Sequence, residues 1–269
     1  MKKTLTYTFL SLAFLGIIVL SVGFYQALRA TAPHNSQSTS ALASSSAEAV
    51  PAQASAKKSN TLNVLIIGDS IAKGTGDEKN KGFTGNLTDS FKNSTSKQIY
   101  INNLGIDGLE SSGLLQQLQS KKWDQSVADS DLILISIGGN DLRSILTLNG
   151  LAQQDAFQEK RDSYMNNLKQ SLQLLRNANS KAEIVFLGLY NPYEKLTGSE
   201  AQGFLEEWNY KSQQLIESDG KALFIPTYDL IKYNIGRYIA QDDLHPNASG
   251  YQAISNRISQ SVGPIISGS

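Results

Sequence analysis

The stretch Val64-Leu65-Ile66-Ile67-Gly68-Asp69-Ser70 decides how this chain reads. Its four consecutive aliphatic residues predict an apolar strand, the first regular element of the folded part, with Gly68-Asp69-Ser70 at its end. A serine is thereby presented at a strand tip. A serine hydroxyl is inert at neutral pH unless a positioned base removes its proton. The chain has 2 histidines in 269 residues. His34 lies in a Ser/Ala-rich stretch without periodicity, whereas His245 lies near the far end in Asp242-Asp243-Leu244-His245-Pro246-Asn247. Ser70, Asp242 and His245 are the parts of a hydrolytic triad, in the chain order Ser, Asp, His.

Outward from that strand, strand and helix patterns alternate. Strands are expected at Asn63–Ile67, Gln98–Asn102, Leu132–Ile137, Glu183–Leu187 and Ala222–Pro226. Helices are expected around Thr84–Lys92, Leu109–Ser120, Asp155–Asn177, Glu200–Ser218 and Ser249–Ser261. This alternation specifies an α/β fold: a three-layer sandwich with a five-stranded, mostly parallel sheet. Right-handed crossovers favour the strand order 2-1-3-4-5, in which ligands bind beyond the carboxyl ends of the strands at the switch point. Ser70 follows strand one and Asn140 follows strand three, so both fall there.

Composition narrows the chemistry. Formal charge sums to zero and no long basic run occurs, which argues against a nucleic-acid partner. The absence of cysteine excludes thiolate metal sites, disulfides, a cysteine nucleophile and a lipidated cysteine. One usable histidine and scattered carboxylates do not make a two-metal site, so neither a metal nor a cofactor is expected.

The ends of the chain are read separately. Lys2 and Lys3 precede an uncharged run, Thr4–Leu28, that Arg29 closes. Such a run is long enough to cross a bilayer, and its basic flank places the rest of the chain outside. Residues 1–30 therefore read as a single-pass membrane anchor, because Pro33 follows the small-x-small site Ala30-Thr31-Ala32; a cleaved signal and a secreted protein is the other reading. Residues 31–60 are rich in Ser, Ala, Thr and Gln and cannot offset the entropy of ordering, so they read as a flexible stalk with a reach of about 30 Å. Residues 61–269 form the single folded domain.

Acyl transfer builds negative charge on a carbonyl oxygen, which calls for donors aimed at it. The backbone N–H groups of Ser70 and Gly108 and the side-chain amide of Asn140 could supply three. Each residue also has a plainer reading. Asp69 and Ser70 could cap a turn, Asp243 competes with Asp242, and Gly108, Asn140 and Asp141 could be turn residues only. The aromatics in Leu189-Tyr190-Asn191-Pro192-Tyr193 either line a pocket or pack a loop.

With these blocks assembled, the chain resembles the SGNH hydrolases, also called GDSL-type esterases and lipases, over about Asn63 to Ile258. The first block of that family reads GDSL and carries the nucleophile; here it is Gly68-Asp69-Ser70-Ile71, with Ile for Leu. The second block contributes a glycine, matched by Gly108. The third reads GxND, matched by Gly138-Gly139-Asn140-Asp141, and the last reads DxxH, matched by Asp242 to His245. The resemblance implies metal-free ester hydrolysis through an acyl-enzyme, on a small-molecule, lipid or acylated-glycan ester. Pocket walls are expected from the loops Leu142–Gln154 and Tyr190–Ser199. A second serine fold is disfavoured, because the nucleophile elbow G-x-S-x-G would need a glycine where Ala72 stands. The rival from another class is a non-catalytic surface module that keeps the fold to bind a glycan or wall component.

Overall fold

The computed structural model describes residues 60–145, 150–192 and 199–268. The expected anchor and stalk, residues 1–30 and 31–60, lie outside the described residues except for Asn60. Among the described residues no helix is long and apolar enough to cross a membrane. Lys57–Ser269 forms one compact unit.

Five strands make one sheet: β1 (Thr61–Gly68), β2 (Gln98–Gly105), β3 (Leu132–Ser136), β4 (Glu183–Leu187) and β5 (Ala222–Ile225). Their order is β2-β1-β3-β4-β5, and all four pairings are parallel. The expected three-layer α/β sandwich is therefore the observed fold, and the sheet is wholly parallel.

Alternation along the strands divides the core. Leu65, Ile67, Ile133, Ile135, Ile184 and Phe186 face one layer, where they meet Leu114, Leu118, Tyr164, Leu168 and Trp208. Val64, Ile66, Leu132, Leu134, Val185 and Leu187 face the other, against Phe83, Leu87, Phe91, Tyr251, Ile254, Ile258 and Val262. Side chains that alternate with period two can feed two cores only if helices cover both faces. The first layer contains α3 (Ser111–Gln119), α6 (Gly150–Ala178) and α7 (Ser199–Glu217); the second contains α2 (Gly82–Lys92) and α10 (Ala248–Gly268).

Short helices complete the described residues: α1 (Ser70–Lys73), α4 (Asp124–Ala128), α5 (Gly139–Arg143), α8 (Tyr228–Lys232) and α9 (Ile235–Tyr238). Two expected helix ends are displaced. The helix expected over Asp155–Asn177 begins at Gly150, and the last helix passes Ser261 and Pro264 to reach Gly268. Buried Val262 and Ile266 account for the second extension, since their apolar contacts offset the bond that a mid-helix proline removes.

The switch point lies between β1 and its two neighbours. Gly68 pairs with Gly105 of β2 on one side and Ser136 of β3 on the other. The loops after these three strands therefore leave the sheet side by side, which is where such folds hold ligands.

Candidate active site

Ser70 is placed by the end of β1. At Gly68 the backbone has φ +130°, and a Cβ there would fall 1.8 Å from the Ser136 carbonyl oxygen, so only glycine fits. Asp69 then donates its N–H to that same carbonyl at 2.9 Å. Its Oδ1 accepts from the N–H groups of Ile71 at 3.0 Å and Ala72 at 3.4 Å, capping α1. The Ser136 hydroxyl donates to the same oxygen at 3.0 Å. Ser70 thus stands as the first residue of α1, on a turn held from beneath.

His245 reaches the serine from the other end of the chain. Ile239 and Pro246 form an antiparallel bridge, and Ala240 N–H donates to the His245 carbonyl at 2.8 Å. Within that turn, Asp242 Oδ1 accepts from the N–H groups of Leu244 and His245, each at 3.0 Å. Asp242 Oδ2 lies 2.6 Å from His245 Nδ1, and His245 Nε2 lies 2.8 Å from Ser70 Oγ. A carboxylate can only accept, so Nδ1 carries the proton and the Nε2 lone pair faces the serine. Burial pushes the Asp242 carboxyl up, but the bonds from the His245 ring and the two backbone N–H groups outweigh it and hold the group below the usual carboxylate range. Asp243 is the backbone pivot instead, with φ +56°. Tyr190 donates its hydroxyl to the Leu244 carbonyl at 2.8 Å, bracing the turn, so this aromatic both lines the cleft and packs the loop. Tyr193 lies outside the described residues.

Asn140 comes from α5, just beyond β3. Gly138, at φ +107°, packs so tightly on the Tyr164 ring that a Cβ would lie 2.7 Å from it. The Asn140 side-chain amide donates to the Leu109 carbonyl at 2.9 Å. One amide hydrogen is used in this way, and the other stays available in the cleft that Asn140 shares with Ser70 and His245. Gly108 immediately precedes Leu109 and has φ +73°, with open space where a Cβ would be. The requirement for glycine there is the left-handed backbone.

Two buried carboxylates flank these groups. Burial pushes the Asp69 carboxyl up to about 6, opposed by the Ser136 hydroxyl, the N–H groups of Ile71 and Ala72, and the His245 charge. Asp141 accepts from the Ser111 N–H at 2.9 Å and the Ser111 hydroxyl at 2.6 Å. Burial raises its pKa, with Ser111 opposing. Asp141 is therefore a buried anchor between α5 and α3 rather than a turn residue.

The cleft beside Ser70 is mostly apolar, walled by Ile71, Leu142, Leu187, Leu189, Leu205 and Ile254, with Asp69, Ser136, Asn140, Arg143, Asn191 and Thr227 as its other polar members beside Ser70 and His245. Leu142 and Tyr190 to Pro192 come from the expected wall loops; residues 146–149 and 193–198 of those loops lie outside the described residues. Leu205 and Ile254 were not anticipated, since they stand on α7 and α10 at spacings indistinguishable from core positions. Ser136 was also missed. Its signal was a hydroxyl closing an otherwise apolar strand.

The sequence matches the model of the GDSL-like lipase/acylhydrolase family over residues 66–253. It is 30% identical over 212 residues to the uncharacterised protein YpmR of Bacillus subtilis (strain 168), covering 77% of this chain and 83% of that protein. It is 26% identical over 204 residues to the spore germination lipase LipC of Bacillus licheniformis, covering 74% of this chain and 95% of LipC. The crystal structure of the lipase Lip_vut3 from a goat rumen metagenome shares the fold, with TM-score 0.69 at 24% identity over 74% of this chain and 97% of that one. The family match takes in the Ser70 turn, Gly108, the Gly138–Asp141 block and the Asp242–His245 turn: this chain belongs to the GDSL-like lipase/acylhydrolase family of ester hydrolases.

Proposed function

We propose that the chain cleaves carboxylic esters through an acyl-enzyme on Ser70. The observation that carries this reading is the hydrogen-bonded series Asp242–His245–Ser70 opening onto an apolar cleft. His245 Nε2 takes the Ser70 proton as Oγ attacks the ester carbonyl, while Asp242 orients the ring and balances the imidazolium charge. The oxyanion rests on the free amide hydrogen of Asn140 and the backbone N–H groups of Ser70 and Gly108. His245 then protonates the departing alcohol and activates the water that releases the acid. The acyl group packs on Leu142, Leu187, Leu189, Leu205 and Ile254, as expected for an aliphatic chain. The N-terminal run Thr4–Leu28 holds this domain outside a membrane, where lipids and O-acylated glycans are at hand.

The test is hydrolysis of p-nitrophenyl esters from acetate to palmitate by the full-length chain, beside folded Ser70→Ala and Asn140→Ala variants. Turnover vanishes in Ser70→Ala, with labelling by a fluorophosphonate, and falls roughly a hundredfold to a thousandfold in Asn140→Ala. Activity surviving in folded Ser70→Ala sinks the mechanism. A wild-type chain inert towards both esters and the probe leaves the binding-module reading in its place.

A further inference from the structure

One corner of the cleft departs from its aliphatic character. Arg143 is the last residue of α5 and stands three positions after Asn140, a spacing that sets two side chains on one helix face. It lines the same cleft as Ser70 and His245, and it is exposed. The other described arginines are engaged. Arg161 pairs with Asp162 and Glu207, Arg176 with Asp219, and Arg257 with Asp229, while Arg237 lies over the Tyr238 ring. Among the described residues no carboxylate pairs with Arg143. Asp141, its neighbour on α5, is turned to Ser111, and Asp69 Oδ1 already accepts three hydrogen bonds. A guanidinium at the edge of an apolar cleft presents a planar fork suited to a carboxylate or a phosphate.

We infer that Arg143 is a specificity residue that selects esters carrying an anionic group, a carboxylate or phosphate, close to the scissile bond. The inference rests on the reading of Ser70 as the esterase nucleophile. The anion belongs either to the acyl group or to the alcohol, and matched substrates separate the two. For the acyl side the pair is p-nitrophenyl valerate and mono-p-nitrophenyl glutarate, which differ by a terminal methyl against a carboxylate. For the alcohol side it is 1-valerylglycerol and 1-valerylglycerol 3-phosphate, followed by acid release. The full-length chain is compared with Arg143→Gln, Arg143→Glu and Arg143→Lys. In Arg143→Gln, kcat/KM on the anionic member of one pair falls at least about tenfold more than on its neutral partner, the scale of a charged hydrogen bond lost. Arg143→Glu deepens that difference and Arg143→Lys restores part of it. The wild-type preference for the anion also weakens as salt is raised. The pair that responds identifies the side bearing the charge. Turnover of all four esters with the same anionic-to-neutral ratio in wild type and Arg143→Gln overturns the inference and leaves the esterase reading standing. No turnover of any ester by the wild-type chain removes both.

Discussion

Asp69 shows how much one residue beside a nucleophile is asked to do. Its Oδ1 caps α1 and takes the Ser136 hydroxyl, and the whole side chain is withdrawn from water. Burial therefore raises its folded pKa to about 6, above the ordinary 3.8. Between those two values the folded chain binds more protons than the unfolded one. The stabilisation from this group is complete below the unfolded pKa and is lost as pH rises through about 6. Asp69→Asn keeps an acceptor oxygen for the same three donors and removes the titration. Its stability advantage over wild type in urea unfolding should grow from near zero at pH 4 to as much as about 3 kcal/mol at pH 7. A pH-independent difference would show that the carboxyl is not titrating in that range. Nothing in the motif Gly68-Asp69-Ser70 announced this. The sequence suggested a turn-forming carboxylate, but the burial that raises its pKa comes only with the packed fold, in which Ser136 of β3 closes on the same oxygen.

At the scale of elements, α5 is anchored by a buried hydrogen-bonded pair and by the amide beside it. Both Asp141 oxygens accept from Ser111 at the start of α3, while Asn140 next to it is tied to Leu109 just ahead of that helix. Asp141→Ala leaves the Ser111 N–H and hydroxyl without this acceptor and should cost on the order of 3 kcal/mol in urea unfolding. It should also lower kcat more than it raises KM, because Asn140 loses the support that aims its amide. A loss under about 1 kcal/mol would mean that α5 is held some other way. Elements of this length mark the boundary of what the sequence discloses. The five strands and five longer helices are legible because their apolar spacing reports the faces they bury. β3 and β4, sealed between layers, read as continuous apolar runs. The half-exposed edge strand β2 reads shorter than it is, because its end at Gly105 is set by pairing with Gly68. Helices α1 and α5 carry no periodicity of their own; the strand ends beneath them and their tertiary bonds create them. The block residues of the candidate site were legible from their order and spacing. Leu205 and Ile254 were not, since a helix residue facing a cleft and one facing the core obey the same period.

At the scale of the whole molecule, Lys57–Ser269 has its own two-sided core around a sheet whose five strands all lie within it. A domain of roughly 210 residues buries enough surface to fold without help from the preceding segment. The fragment should therefore be soluble, unfold cooperatively, and hydrolyse a water-soluble ester with the kcat/KM of the full-length chain. The full-length chain should behave differently in cells. The run Thr4–Leu28 after Lys2 and Lys3 suits a bilayer span with the domain outside, so the protein should sediment with membranes and be released by detergent but not by salt or alkaline carbonate. On the reading of residues 31–60 as a stalk, protease added to intact cells should remove the domain. The mass of the recovered protein decides between the two readings of the N-terminus. An intact mass identifies a retained anchor, whereas a product beginning just after Ala32 and found in the medium identifies a cleaved signal and makes the enzyme a secreted one.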